Sequence, residues 1–354
     1  MSNSERLLHT KLMSPRLAAT VVPRAELLRQ LDAGLTKKVI LVSAPTGFGK
    51  TTLIRMWITS RDFSSAWVTL DDHDNDPVRF WTYVCSALRT IDPSLGKATL
   101  SMLASPQPPS FESLLTPFIN DLARLKKPAA LVLDDYHAIK STEIHEGVSF
   151  LIQQLPEHLH VAFLTRSDPS LPLGILRARD ELAEIDAADL RFDQEEIEAF
   201  LQISIRDSFS PAATARLLEK TEGWPAGVRL VTRALQNKGS ATDIEKSIES
   251  FSGSDRYVAD YLIQEVFENQ PPDVQSFLLK TSFFTRLTGS LCDAILEINN
   301  SAVTLAQLEH DNLFIVQLET GHGQVWYRYN LLFAESLQHL ARQRLGEAGV
   351  RKLF

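Results

Sequence analysis

The residues best suited to chemistry in this chain lie in one short stretch, Ala44-Pro-Thr-Gly-Phe-Gly-Lys-Thr-Thr52. Lys50 brings a compact cation and Thr51 a hydroxyl beside it. Gly47 and Gly49 let the backbone curl without Cβ clashes. Such a loop suits a polyphosphate, whose charge is met by backbone N–H groups and by the positive end of the following helix. Lys50 would reach the β- and γ-phosphates, and the Thr51 hydroxyl would ligate Mg²⁺. The expected nucleotide contacts are Ala44, Thr46, Gly47, Phe48, Gly49, Lys50, Thr51 and Thr52. The usual pattern opens with glycine; here the small Ala44 stands in that place.

A second candidate is Pro128-Ala-Ala-Leu-Val-Leu-Asp-Asp-Tyr-His137, apolar and then abruptly acidic. Carboxylates at the C-terminal end of a buried parallel strand face the ligand crevice. Asp134 would hold Mg²⁺, directly or through water, and Asp135 would orient or deprotonate an attacking water. The plainer reading is a strand that ends in a solvated turn. Asp is shorter than Glu, so slow hydrolysis is expected. His137, beside the acidic pair, reads as structural.

These groups need a frame. The apolar run Val39–Val42 precedes the loop, and Leu53, Ile54, Trp57 and Ile58 fall on one face of the helix that follows it. Strand candidates are Val39–Ala44, Ala66–Asp71, Ala130–Asp134, Val161–Thr165 and Leu182–Ile185, separated by helical stretches such as Val78–Thr90 and Phe111–Leu125. This alternation predicts an α/β fold, a P-loop nucleotide-binding domain with a parallel five-stranded sheet, over residues 1–190. The Pro-rich Ser105–Ser110 is a loop between two of those helices. Asp72, Asp74 and Asp76 read as a strand-to-helix connection in which Asp76 or Pro77 starts the helix.

After Arg191 the pattern turns helical. Asp193 and Glu196 have capping-box spacing, with Phe192 and Ile197 placed as a staple. A helical subdomain is expected over 191–250, with the polar stretch Asn237–Ser254 as the domain boundary. From Asp255, Val258, Tyr261, Leu262 and Val266 mark one amphipathic helix, and Val274, Phe277 and Leu278 another. Leu313–Leu318 and Gln324–Tyr329 then flank a hairpin signal, Glu319–Gly323. Helices followed by a ribbon predict a winged helix over 251–345, with the start of a truncated helical region at 346–354. Asp255–Asn330 carries ten acidic and four basic residues, a net charge of −6. That balance is poorly suited to neutralising phosphates, so packing within the protein is the expected role.

Composition narrows the class. The 354 residues are 44% hydrophobic and 23% charged, with a net charge of −8, as in a soluble globular chain of two or three domains. Two distant cysteines, Cys85 and Cys292, offer neither a disulfide framework nor a zinc site, which fits the cytoplasm. No segment approaches a membrane span.

The chain resembles the ATPase module of the large LuxR-type transcriptional regulators, the MalT-like group of STAND NTPases. The resemblance rests on Thr10-Lys-Leu12, Val22-Pro-Arg24, the glycine loop, Leu70-Asp-Asp-His-Asp-Asn-Asp-Pro77 with Arg79-Phe-Trp81, and Leu133-Asp-Asp-Tyr-His137. It continues through Thr165-Arg-Ser-Asp168, Glu222-Gly-Trp-Pro-Ala-Gly227, Tyr257-Val-Ala-Asp-Tyr261 and Trp326-Tyr-Arg-Tyr329. Beyond the loop each motif is weak alone; their order and spacing are specific.

The resemblance implies an ATP-driven switch, with an ADP-bound resting form and an ATP-bound form that self-associates. It also implies that a sensor for an inducer and a DNA-binding domain follow. The last residues, Val350–Phe354, continue a helical pattern without a Gly or Pro stop, which points to a fragment. Nucleotide binding and hydrolysis are therefore expected, without specific DNA binding.

By matched motif, Val22 and Arg24 resemble the adenine-side entry, and Pro225 the proline that packs on adenine. Arg166 resembles a γ-phosphate sensor, a task suited to a guanidinium. One position departs. After Trp-Tyr-Arg-Tyr the family usually continues with two His, the first on the β-phosphate of ADP; here Asn330 and Leu331 stand there. Asn donates a hydrogen bond but cannot become cationic, so a weaker hold on ADP is expected. The alternatives are a P-loop small-molecule kinase, or a nucleotide-dependent scaffold without significant turnover.

Overall fold

The computed structural model describes residues 7–61, 63–106, 109–205, 209–235, 241–318, 324–351 and 353, the side chains of 241–244 excepted. They form two compact units. The first comprises Met1–Ala19, Pro23–Ala44 and Lys50–Asp189; the second comprises Thr20–Val22, Pro45–Gly49 and Leu190–Phe354.

In the first unit, β1 (Val39–Ser43), β2 (Ser64–Thr69), β3 (Ala129–Asp134), β4 (Leu159–Thr165) and β5 (Leu182–Ile185) make one sheet in the order β2-β3-β4-β1-β5. All four pairings are parallel. β1, β3 and β4 are buried along their whole length. This is why they read as unbroken apolar runs, since helices cover both faces of such a sheet. The C-terminal ends of β1, β3 and β4 are neighbours, which brings Ser43, Asp134 and Thr165 to one edge.

The helix Lys50–Ser60 buries Leu53, Ile54, Trp57 and Ile58, the face expected from their spacing. Trp57 also donates from Nε1 to Asp32 Oδ1 at 3.0 Å. The acidic loop starts a helix as expected. Asp76 accepts from the N–H of Arg79 at 2.7 Å, and Pro77 opens Pro77–Leu88. Asp74 is fully buried, bonded to Lys11 and, at 2.9 Å, to Arg79 Nε. Both oxygens are thus committed to cations. A helix that the alternation did not separate out, Lys97–Leu103, precedes the Pro-rich loop.

In the second unit, Asp193 and Glu196 form the reciprocal capping box: Glu196 N donates to Asp193 Oδ1 at 2.8 Å and Asp193 N to Glu196 Oε2 at 3.1 Å. Phe192 lies against Phe200, with ring centroids 6.1 Å apart. The stretch expected as a polar boundary carries a helix, Ala241–Ser250, because Ile248 and Phe251 supply buried apolar anchors.

Arg256–Leu262 runs into a π-helical turn, Ile263–Phe267. Helices Pro272–Thr281, Gly289–Leu296 and Ser301–His310 follow, then antiparallel β6 (Ile315–Gln317) and β7 (Tyr327–Tyr329). The expected turn at 319–323 lies outside the described residues. The last helix, Leu331–Arg351, is kinked at Gly346 (φ 69°, ψ 166°), a backbone conformation that favours glycine, and resumes to Arg351.

Candidate functional site

Within the first unit the chemistry gathers at the sheet edge where β1, β3 and β4 end. Ala44 N donates to Thr165 O at 3.2 Å, tying the end of β1 to that of β4. Lys50, first residue of its helix, is 8% exposed and donates from Nζ to Ala44 O at 2.6 Å. Burial lowers its pKa to about 8, helped by Arg166 and opposed by Asp135 and Asp134.

Thr51 Oγ1 lies 3.1 Å from both carboxylate oxygens of Asp134 and donates to them. Asp134 is 3% exposed. Burial raises its pKa to about 7, aided by Asp135 and opposed by the Thr51 bond and the Lys50 charge. Asp135 sits in the left-handed region (φ 58°), and its N–H donates to Asp134 Oδ1 at 3.1 Å.

Arg166 follows directly on β4 and acts electrostatically on Lys50 and His137. His137 Nδ1 is buried, has no hydrogen-bond partner among the described residues, and lies 3.9 Å from Asp135 Oδ1. Burial, then Arg166, Lys50 and Lys140, lower its pKa to about 3, so the imidazole is neutral. Sequence reasoning read His137 as structural; its nearness to Lys50 and Arg166 depends on the order of the sheet.

An Mg²⁺ ion fits this donor set. Thr51 Oγ1 and the Asp134 carboxyl are hard oxygen donors held side by side. The tension on Asp134, a buried acid beside a second carboxylate, is what a divalent cation relieves.

The loop tip belongs to the second unit. Gly47 has φ +77° and Gly49 φ +85°, conformations that favour glycine. Ala226 N donates to Gly47 O at 3.0 Å, Trp224 Nε1 to Thr46 O at 3.2 Å, and the Thr46 and Tyr261 hydroxyls are 3.0 Å apart. Phe48 is buried with its ring 6.1 Å from that of Phe314.

The remaining expected residues have these places. Val22 is buried in the second unit. Arg24 donates from Nη2 to Asp189 O at 3.0 Å in the first. Thr52 is exposed in the first turn of its helix. Pro225 opens the helix Pro225–Leu235. Asn330 is 5% exposed; its N–H donates to Phe314 O at 2.7 Å, and its Oδ1 accepts from Phe333 N at 3.4 Å. Trp224 and Tyr261 were quoted only as parts of motifs. Trp224 adjoins Pro225, but the link to Thr46 spans 178 residues and has no local signature.

Comparison with known proteins agrees with this architecture. Residues 33–167 match the AAA domain family and residues 263–348 the MalT winged helix domain family. The chain is 31% identical over 341 residues to the HTH-type transcriptional regulator MalT of Cronobacter sakazakii, covering 96% of this chain and 37% of the relative. It is 32% identical over 337 residues to the serine/threonine-protein kinase PknK of Mycobacterium tuberculosis, covering 94% and 30%. The chain thus spans about a third of the length of these relatives. In fold it is similar to the Walker-type ATPase of Pyrococcus abyssi, with a TM-score of 0.63 and 14% identity, covering 93% of this chain and 99% of that one. Among the described residues no helix is long and apolar enough to cross a membrane. A glycine loop leading into Lys50 and Thr51, an acidic β3 end and a ribbon-bearing helical tail thus agree with the sequence comparisons: an AAA domain is followed by a MalT winged helix domain, in a chain similar to MalT over nearly all of its length.

Proposed function

We propose that this chain is the nucleotide-operated switch of a signal-responsive transcriptional regulator. It binds ATP and ADP with Mg²⁺ and hydrolyses ATP slowly, in the cytoplasm. The observation that carries this reading is the pairing of Thr51 with Asp134 one residue from a buried Lys50.

Each side chain has a task in that reading. Lys50 exchanges the Ala44 carbonyl for phosphate oxygens, which returns full charge to a buried ammonium. Thr51 and Asp134 would hold Mg²⁺, which supplies charge neutralisation on the phosphates. Asp135, in a left-handed turn next to Asp134, orients a water or accepts its proton. Arg166 meets developing negative charge with a guanidinium that can pair with phosphate oxygens in a fork. Val22, Arg24 and Pro225 serve the base, and Asn330 replaces the usual His, so ADP is held less tightly. An ADP form at rest and an ATP form that self-associates complete the switch, with an inducer acting through other parts of the protein.

Phosphate release from Mg-ATP, compared in wild type and Lys50→Ala, tests the reading. Slow release that Lys50→Ala abolishes is expected. Release only on addition of a small-molecule acceptor would overturn it in favour of a kinase, and tight binding without turnover in favour of a scaffold. Light scattering with ADP and with a non-hydrolysable ATP analogue tests the association.

A further inference from the structure

We propose that Trp224 and Tyr261 are positioning residues for the phosphate loop, fixing the backbone of Thr46 and Gly47 so that the tip is preorganised for a β-phosphate. The proposal rests on the reading of residues 44–52 as a polyphosphate site and concerns groups outside that stretch.

A loop that cradles phosphate must turn its N–H groups toward the anion and its carbonyl oxygens away. Carbonyls turned outward need donors, because an unpaired buried acceptor costs free energy. Here those donors are specific. Thr46 O accepts from the Trp224 indole at 3.2 Å, and Gly47 O accepts from the Ala226 N–H at 3.0 Å. The Thr46 hydroxyl is held by the Tyr261 phenol at 3.0 Å. Three bonds therefore fix two consecutive residues of the tip.

Contact is as close as the bonds are numerous. A Cβ added at Gly47 would lie 2.6 Å from Ala226 Cβ, 2.8 Å from Trp224 Nε1 and 3.1 Å from the Tyr261 hydroxyl. Glycine at 47 is thus required twice, by its φ of +77° and by the wall it faces.

That wall is itself rigid. Trp224 is fully buried, edge-on to Phe314 at 5.1 Å between centroids and 5.7 Å from the Tyr261 ring. A Cβ at Gly227 would lie 2.5 Å from Trp224 Cε3, so the second glycine of Gly-Trp-Pro-Ala-Gly is the space in which the indole lies. Adaptable contacts would not need such a fit. A fixed template keeps the loop in one conformation before ligand arrives, and preorganisation of this kind lowers the cost of binding.

The test is the preference for ADP over AMP, measured on the whole chain by displacement of a fluorescent ADP analogue, in wild type, Trp224→Phe, Tyr261→Phe and Lys50→Ala. Both Phe variants keep an aromatic ring and remove one hydrogen-bonding group. Each should weaken ADP about 3- to 10-fold, the worth of one such bond, while AMP changes little. The ADP-to-AMP ratio then falls by that factor. A purely structural role would weaken both nucleotides equally and leave the ratio unchanged; that result, with Lys50→Ala still abolishing the preference, overturns the proposal. Retention of the preference in Lys50→Ala would instead overturn the underlying phosphate-loop reading, and the proposal with it.

Discussion

Glu222 and Arg328, 106 residues apart, meet as a fork: Nη1 donates to Oε1 at 2.7 Å and Nη2 to Oε2 at 3.1 Å. Glu222 ends the helix Pro211–Thr221 in the left-handed region (φ 50°), and Arg328 lies on β7. The same carboxylate accepts from Leu331 N at 2.9 Å and from Arg191 Nη1 at 3.4 Å. One half-buried carboxylate thus joins the entry to the helical segment, its Gly-Trp-Pro turn, the ribbon and the start of the last helix.

Removing one partner from such a network leaves a poorly solvated charge. Arg328→Ala should therefore destabilise the chain by about 1–2 kcal/mol, a figure discounted because Arg328 is itself about a third exposed. Burial pushes the Glu222 pKa up, but the Arg328 bonds, the Leu331 N–H and the Arg328 and Arg191 charges outweigh it, so the net shift is downward. A depressed carboxylate stabilises the fold above its unfolded value, and this is lost as pH falls through the folded value. Urea melts of wild type and Arg328→Ala should differ most near pH 7, with the gap closing below about pH 4. A gap independent of pH would place the effect in packing of the arginine stem.

Asp134 works in the opposite sense. Its carboxyl is raised to about 7 by burial and by Asp135, so the ligand-free fold holds a proton that the unfolded chain releases. Between about pH 4 and pH 7 rising pH therefore destabilises the ligand-free protein. Asp134→Asn removes that penalty. In excess chelator at pH 8 it should melt higher than wild type, by about 2–4 kcal/mol, while losing its response to Mg²⁺. At pH 4 the two proteins should melt alike. Equal stability at both pH values would show that the carboxylate is not strained.

Lys11 gives meaning to the Thr10-Lys-Leu12 motif. Its ammonium is buried against Asp74 and 2.9 Å from Asp71, over the Tyr83 ring. Without Lys11, the fully buried Asp74 would keep one cation, Arg79, and the Asp71 N–H. Lys11→Met preserves the stem and removes the charge, so it should destabilise the first unit by about 2–4 kcal/mol. Chemical denaturation measures this, and the double variant Lys11→Met with Asp74→Asn should recover part of the loss.

The sheet and its ligand-facing ends were legible because each strand is a short apolar run and each chemical group follows directly on one. Lys50, Thr51, Asp134 and Asp135 could be placed from local pattern alone. Asp76 and the Asp193–Glu196 box were legible for the same reason, since a cap is written within four residues. Trp224, Tyr261 and Glu222 were not, because their partners lie far away in sequence: Thr46 for the two aromatics, Arg328 for the glutamate. The helix Ala241–Ser250 was missed because its polar residues outnumber the two apolar anchors that hold it.

Asn330 caps the last helix, and one substitution tests whether it also bears on the hold on ADP. Its Oδ1 accepts from Phe333 N, and the last helix begins at the next residue, so the side chain serves as an N-cap. Asn is among the best residues there and His is not. Asn330→His should cost about 0.5–1 kcal/mol of stability, whereas Asn330→Asp should keep the cap and cost little. If His at this position also grips a β-phosphate, Asn330→His binds ADP more tightly although the fold is weaker. Thermal melts without nucleotide measure the cap, and ADP titration well below the melting temperature measures the grip. Unchanged ADP affinity in Asn330→His would show that the asparagine is there for the helix, and that a weaker hold on ADP is not its consequence.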